Sequence, residues 1–133
     1  MRFVDLAVNG TLMRDLELND HLTGTGAEFL RDARTAPEYR LWSIDDRHPA
    51  MIRVLDGSGT AVALEIWRVP VGGIAGVLLD EPHGLTLGRV VLDDGDTVLG
   101  VLAEPFLVEG QREITEYGGW RAYLAARDNE GDT

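Results

Sequence analysis

The sequence predicts an α+β domain: a small, mainly antiparallel β-barrel with a helix at its C-terminal end. Three observations carry this. Six or seven short segments rich in apolar and β-branched residues are separated by polar breaks. Two of those breaks, Asp56-Gly57-Ser58-Gly59 and Asp93-Asp94-Gly95-Asp96, have the residue types of hairpin turns. One long helical period stands near the end, with Ile114, Tyr117, Arg121 and Leu124 at i, i+3, i+7 and i+10. Strands that succeed one another through turns, without alternating helices, give an antiparallel sheet that curls toward a barrel.

The elements follow in order. Residues 3–8 form a short apolar run that reads as a buried strand, broken by Asn9-Gly10-Thr11. Leu12, Met13, Leu16 and Leu22 mark a helical turn or an ordered loop that ends at Gly24 and Gly26. Residues 28–34 read as a second strand. Residues 39–44 alternate, with Tyr39, Leu41 and Ser43 on one face and Arg40, Trp42 and Ile44 on the other. Residues 51–55 and 61–69 are read as a hairpin through the Asp56 turn, stopped by Pro70. Residues 71–79 form a short helix, because Gly72, Gly73 and Gly76 each cost it up to about 1 kcal/mol relative to Ala. Residues 85–92 and 98–103 make a hairpin through the Asp93 turn. Residues 114–127 are the final helix. The domain therefore covers residues 1–127, and residues 128–133 read as a disordered polar tail.

Composition narrows the function. The chain has 133 residues, 44% of them hydrophobic, enough for one core. It contains no cysteine, so no disulfide framework and no thiolate chemistry is expected. It has no apolar run of about 18 residues, the length of a membrane span, and Asp5 interrupts the start where a signal peptide would be apolar. A cytoplasmic protein is the simplest reading. The net charge is −11, with scattered arginines and no basic patch, which argues against nucleic acid and anionic membranes as partners. Arginine replaces lysine throughout, a usage that suggests a GC-rich bacterial source.

Three stretches resemble one family in order and spacing. Ala33-Arg34-Thr35-Ala36-Pro37-Glu38-Tyr39-Arg40-Leu41-Trp42 resembles the TAPxYRLY segment of the allophanate hydrolase C-terminal domain. Ala63-Leu64-Glu65-Ile66-Trp67, followed by Val69-Pro70, is similar to its EVWxLP strand. Ile114-Thr115-Glu116-Tyr117-Gly118-Gly119-Trp120-Arg121-Ala122-Tyr123-Leu124 resembles its closing ITxxGGWRAYL segment. Leu87-Gly88 and Gly100-Val101-Leu102-Ala103-Glu104 fit the IG and GFLxE elements between them. In that family the domain follows an amidase with Ser-Ser-Lys machinery, and this chain reads as a stand-alone version. The resemblance implies the gamma-glutamylcyclotransferase-like fold, with a pocket over the first loop. It implies either decarboxylation of N-carboxycarbamate in urea breakdown, or attack of an α-amine on a γ-glutamyl carbonyl.

The fold group opens on a YGSL or YGTL loop, which Asn9-Gly10-Thr11-Leu12 resembles. A glycine-bearing strand end exposes backbone N–H groups that suit a carboxylate or an oxyanion, and Asn9 and Thr11 add side-chain donors. Cyclotransferases place a general base after the short helix, in a run that Leu79-Asp80-Glu81-Pro82-His83-Gly84 resembles. Glu81 and His83 are therefore the candidate proton carriers. Arg121, on the last helix, can clamp a carboxylate; the competing reading pairs it with an acid while Tyr117 and Trp120 pack on the sheet. The Gly118-Gly119 pair implies a close backbone approach. His21, His48 and His83 lie far apart in sequence, so no metal is expected, and no cofactor. Ser43 and Ser58 lack a nucleophile context. Two functions follow as expectations. One is a small enzyme acting on a carboxylated amide or amine. The other is a non-catalytic subunit that docks on a separate amidase, or on a second copy, through the closing helix.

Overall fold

A computed structural model describes residues 2–131. Eight strands form two sheets, one of five strands in the order β2-β5-β1-β7-β6 and one of three in the order β4-β3-β8. The strands are β1 (Phe3–Val8), β2 (Glu28–Arg34), β3 (Tyr39–Ile44), β4 (His48–Arg53), β5 (Ala63–Pro70), β6 (Leu85–Val91), β7 (Thr97–Ala103) and β8 (Arg112–Glu113). Three helices accompany them: α1 (Asn19–Thr23), α2 (Ile74–Leu79) and α3 (Trp120–Gly131). Every ladder is antiparallel except β1 with β7, where Leu6 sits opposite Leu99.

The two sheets do not close into a barrel. The edge strands of the larger sheet converge at one end, where an isolated bridge joins Thr35 to Leu92. No ladder continues from it, so the mainly antiparallel α+β fold is as expected while the larger sheet is curled with touching corners and is not a closed barrel.

The predicted hairpin about Asp56 does not form. The turn itself exists, with Asp56 Oδ1 accepting from the Ser58 N–H at 2.9 Å. The strands on either side of it belong to different sheets, because β4 pairs with β3 while β5 lies between β1 and β2. A tighter reversal captures β4 first: Asp45 and Asp46 have φ of 52° and 58°, the left-handed central pair of a tight turn in which the Arg47 N–H donates to the Ile44 carbonyl at 2.9 Å. The same turn draws the start of β4 back to His48, three residues ahead of the predicted Met51. Pro49 is tolerated there because β4 is an edge strand. β5, buried on both faces along most of its length, suits a central position.

The final helix also begins later than its apolar period. Thr115–Tyr117 is a single 3₁₀ turn, and Gly118 at φ 73° breaks the helical path before α3 starts at Trp120. The carbonyl of Gly118 accepts the Ala63 N–H at 2.8 Å, so the expected close approach is to the sheet. Trp120 and Tyr123 are buried there and Tyr117 packs against them. Residues 128–131, assigned to the tail, continue α3; residues 132–133 lie outside the described residues. The core runs from Leu6, Ala7 and Val8 through Leu64 and Ile66 to Trp120.

Candidate functional site

The end of β1 carries the first loop over a small recess. Val8, Asn9, Gly10, Thr11, Leu12, His48, Pro49, Glu81, Leu85 and Val101 line it, and its inner space of about 10 Å³ is that of one water. Among the described residues, the N–H groups of Gly10, Thr11 and Leu12 donate to no protein acceptor. The loop's shape comes from its carbonyls instead: Gly10 accepts from Met13 N–H at 2.9 Å and Thr11 from Leu18 N–H at 2.9 Å. Gly10 is required by space, because a Cβ there would lie 2.5 Å from Pro49 Cδ. Outward, Thr11 and His48 also border an open groove of about 570 Å³, shared with Glu17, Asp45, Asp46, Arg47 and Pro82.

Asn9 does not offer the ligand donor expected of it. Its side chain is buried, and Nδ2 donates to the Val101 carbonyl at 3.1 Å and toward Met51 Sδ at 3.7 Å. The residue ties the strand end to β7 and β4, which holds the loop in place. Leu12 is 3% exposed and belongs to the core as well as to the recess.

The segment after α2 splits the two predicted proton carriers. Glu81 lines the recess, while His83 is exposed and lies outside it. Burial pushes the Glu81 carboxyl up from its ordinary value near 4.5 to about 7. His21 opposes that rise and Asp80 adds to it. One oxygen, Oε1, is buried without a hydrogen-bond partner.

Arg121 belongs to a different place. It lines a second cavity, of about 220 Å³, with Glu65, Asp32, Arg34 and the 117–122 segment. Its Nη2 donates to Glu65 Oε2 at 3.1 Å and to the Arg14 carbonyl at 2.6 Å. Glu65 is 1% exposed and also accepts from the Arg14 backbone N–H at 2.9 Å, Arg14 Nε at 3.1 Å and Trp67 Nε1 at 3.1 Å. Burial pushes the Glu65 carboxyl up, but these donors outweigh it and hold it below its ordinary value near 4.5. The pairing of Arg121 with an acid is thus the reading the structure supports. Sequence reasoning gave Glu65 no role beyond its place in the family-like 63–67 strand. The available signal was an acid inside the apolar first half of β5, residues 63–67, where it would be buried and need cations.

Among the described residues, no three His, Cys, Asp or Glu side chains come together as a metal would require, and no helix is long and apolar enough to cross a membrane.

The curled, mainly antiparallel sheet with its accompanying helices has the gamma-glutamylcyclotransferase-like fold. A mouse AIG2-like protein, 18% identical over 81% of this chain and 84% of its own, shares that fold with a TM-score of 0.59. Residues 4–125 match the model of the allophanate hydrolase C-terminal domain, and the chain belongs to that family. A crystal structure of a uropathogenic E. coli-specific protein is 57% identical, with a TM-score of 0.92 over 94% of this chain and 98% of that one. Kluyveromyces lactis allophanate hydrolase is 29% identical, with a TM-score of 0.89 over 95% of this chain and 22% of its own. Urea amidolyase of Saccharomyces cerevisiae is 29% identical over 127 residues, 91% of this chain. The chain spans 7% of that yeast protein's length.

Proposed function

We propose that the chain is a small enzyme that moves a proton at the nitrogen of a small carboxylated amide or amine. The favoured reaction is decarboxylation of N-carboxycarbamate in the breakdown of urea and allophanate. One observation carries this reading: Glu81, its carboxyl raised to about 7 by burial, shares a recess with the unpaired N–H groups of residues 10–12. Such a carboxyl is part acid and part base at neutral pH, the condition for general acid–base work. Family membership and the likeness to urea amidolyase support the substrate class.

In this reaction the substrate's body lies in the groove beside Thr11 and His48, and the loop N–H groups hold the carboxylate that stays behind. Protonated Glu81 gives its proton to the nitrogen as the C–N bond to the other carboxylate breaks. The electron pair of that bond remains on nitrogen, and the carbon leaves as CO₂. Carbamate is the second product, and Glu81 regains its proton from solvent. γ-Glutamyl cyclotransfer would run the same carboxyl in the opposite sense, accepting a proton from an α-amine.

The direction of the pH profile separates the two. An acid must be protonated, so the rate falls as pH rises through about 7; a base must be ionised, so the rate climbs through the same range. The test generates N-carboxycarbamate in situ from allophanate with an amidase and follows CO₂ release by stopped flow. A control without the protein is essential, because the compound also decomposes unaided. Glu81→Gln should lower the protein-dependent rate by about 10²–10⁴-fold, while His83→Ala should leave it unchanged. If both variants match the wild type and no small carboxylate raises the melting temperature, the enzyme reading fails.

A further inference from the structure

Of the chain's three histidines, His48 is the one that lines the recess. It opens β4, where the Asp45-Asp46 reversal sets it opposite Ile44. Thr11 and His48 are the two residues that border both the recess and the open groove, so the ring stands at the passage from one to the other. The residue is 8% exposed, and its two ring nitrogens are treated differently. Nδ1 lies 3.0 Å from the Pro49 carbonyl, an oxygen that can only accept, so Nδ1 carries the hydrogen. In the neutral ring this fixes Nε2 as a bare lone pair. Among the described residues Nε2 meets no hydrogen-bond donor, and it is not one of the side-chain atoms sealed from solvent without a partner. It is an uncommitted acceptor that solvent reaches, on a residue that faces the recess and the groove.

The recess is otherwise rich in donors. The N–H groups of residues 10–12 are unpaired, and Glu81 in its protonated form adds an O–H. Donors suit the carboxylates of the substrate class proposed above. Its nitrogen, however, also carries a hydrogen, which needs an acceptor once the molecule leaves water. We propose that His48 is the substrate-orienting residue of this site: its Nε2 accepts the N–H of a small carboxylated amine or carbamate and thereby turns the other side of that nitrogen toward Glu81. This rests on the reading of Glu81 as the proton carrier and adds the group that selects an N–H ligand. No proton passes to His48. As the proton of Glu81 reaches the nitrogen, the nitrogen's own hydrogen becomes more positive and its bond to Nε2 strengthens. An interaction that is stronger in the transition state than in the bound substrate acts on kcat more than on KM. A ligand with an ether oxygen in place of the N–H sets lone pair against lone pair at Nε2 and is refused.

Two substitutions separate the ring's two nitrogens, because an asparagine amide reaches about as far as Nδ1 and a glutamine amide about as far as Nε2. His48→Asn keeps a donor for the Pro49 carbonyl and removes the Nε2 acceptor. Its melting temperature should stay near that of the wild type. Its kcat for CO₂ release, read in the stopped-flow assay above, should fall about 10–100-fold, the worth of one charge-assisted hydrogen bond, with KM changing far less. His48→Gln gives up the Pro49 bond and sets an amide oxygen near the place of Nε2, so it should recover most of the rate at a lower melting temperature. A purely structural role predicts the reverse order, with His48→Asn active and His48→Gln impaired, and that order overturns the proposal. Should the variants not fold, the wild-type chain answers by NMR of isotope-labelled histidine rings. The His48 ring should be in the Nδ1–H form. Iminodiacetate, an unreactive molecule with an N–H group between two carboxylates, should shift its Nε2 resonance, and diglycolate, with an ether oxygen in the same place, should not. An Nε2–H ring, or the same response to both molecules, overturns the proposal. Selective iminodiacetate binding without CO₂ release would sink the enzymatic reading alone, and CO₂ release that His48→Asn leaves at full rate would sink the role of His48 alone.

Discussion

Glu65 and Glu81 are both withdrawn from water, and the fold treats them in opposite ways. Glu65 lies mid-strand in β5 and receives the Arg14 and Arg121 guanidinium groups, the Arg14 backbone N–H and the Trp67 indole. Glu81 follows the six-residue helix α2 and keeps one oxygen without any partner. Burial pushes both carboxyls up, but only at Glu65 do the donors reverse it. A carboxylate with its donors supplied is committed to structure: it staples the first loop to α3 and to the sheet. A carboxyl left short of donors near neutral pH is available for chemistry.

The largest expected effect tests the structural member of this pair. Glu65→Ala leaves two guanidinium groups and two N–H donors without their common acceptor. Breaking a buried, hydrogen-bonded charge cluster costs about 3–5 kcal/mol, which chemical denaturation at pH 7 will show. A loss below about 1 kcal/mol would mean that the cluster behaves as a surface pair.

How far this contrast could be read in advance depends on what each residue needs. The strands β1, β2, β3 and β6 were legible because alternation and turn residues are local signals, and the 93–96 hairpin followed from its own turn. The Asp56 turn misled because turn chemistry fixes a reversal of the chain, not which strand its flanks will join. That pairing was decided elsewhere, by the Asp45-Asp46 reversal and by the burial of β5. The start of α3 was misjudged because Ile114 and Tyr117 have helical spacing but are separated from Trp120 by Gly118 in a left-handed conformation. At the candidate site, the family resemblance pointed to the 9–12 loop and to the pair Glu81 and His83. Which of the two lines the recess was not legible, since two residues in one polar turn point where the turn's three-dimensional course sends them. Arg14 carried no motif; only contact across the fold gives it partners.

A smaller effect tests the loop on which the proposed chemistry depends. Gly10→Ala must move Pro49, since the added Cβ would lie 2.5 Å from its Cδ and 2.7 Å from its Cγ. Overpacking of this kind typically costs about 1–3 kcal/mol. The displaced loop should also lose CO₂ release beyond what that destabilisation explains, which is read by assaying well below the variant's melting temperature. Stability lost with full activity retained would separate the loop from the site.

The smallest effect concerns Glu81 itself and has the opposite sign to that of Glu65. Its folded-state value, about 7, lies above its ordinary value near 4.5. Between those two pH values the folded chain holds a proton that the unfolded chain has released. The stabilisation from the neutral carboxyl is therefore complete below about 4.5 and lost as pH rises through about 7. Glutamine keeps the shape and does not titrate. Glu81→Gln should match the wild type near pH 4.5 and exceed it at pH 8 by about 1–2 kcal/mol, a figure reduced from the full linkage value because the recess opens on a solvent-filled groove. Glu65→Gln should run the other way. Its carboxylate stabilises the fold above the ordinary carboxyl range, and that advantage is lost as pH falls through the lowered folded value. The two variants, melted side by side from pH 3 to 8, should thus give difference curves that rise with pH for Glu81→Gln and fall with pH for Glu65→Gln. Parallel curves would mean that the two carboxyls sit in equivalent surroundings, and Glu81 would lose its claim to a poised proton.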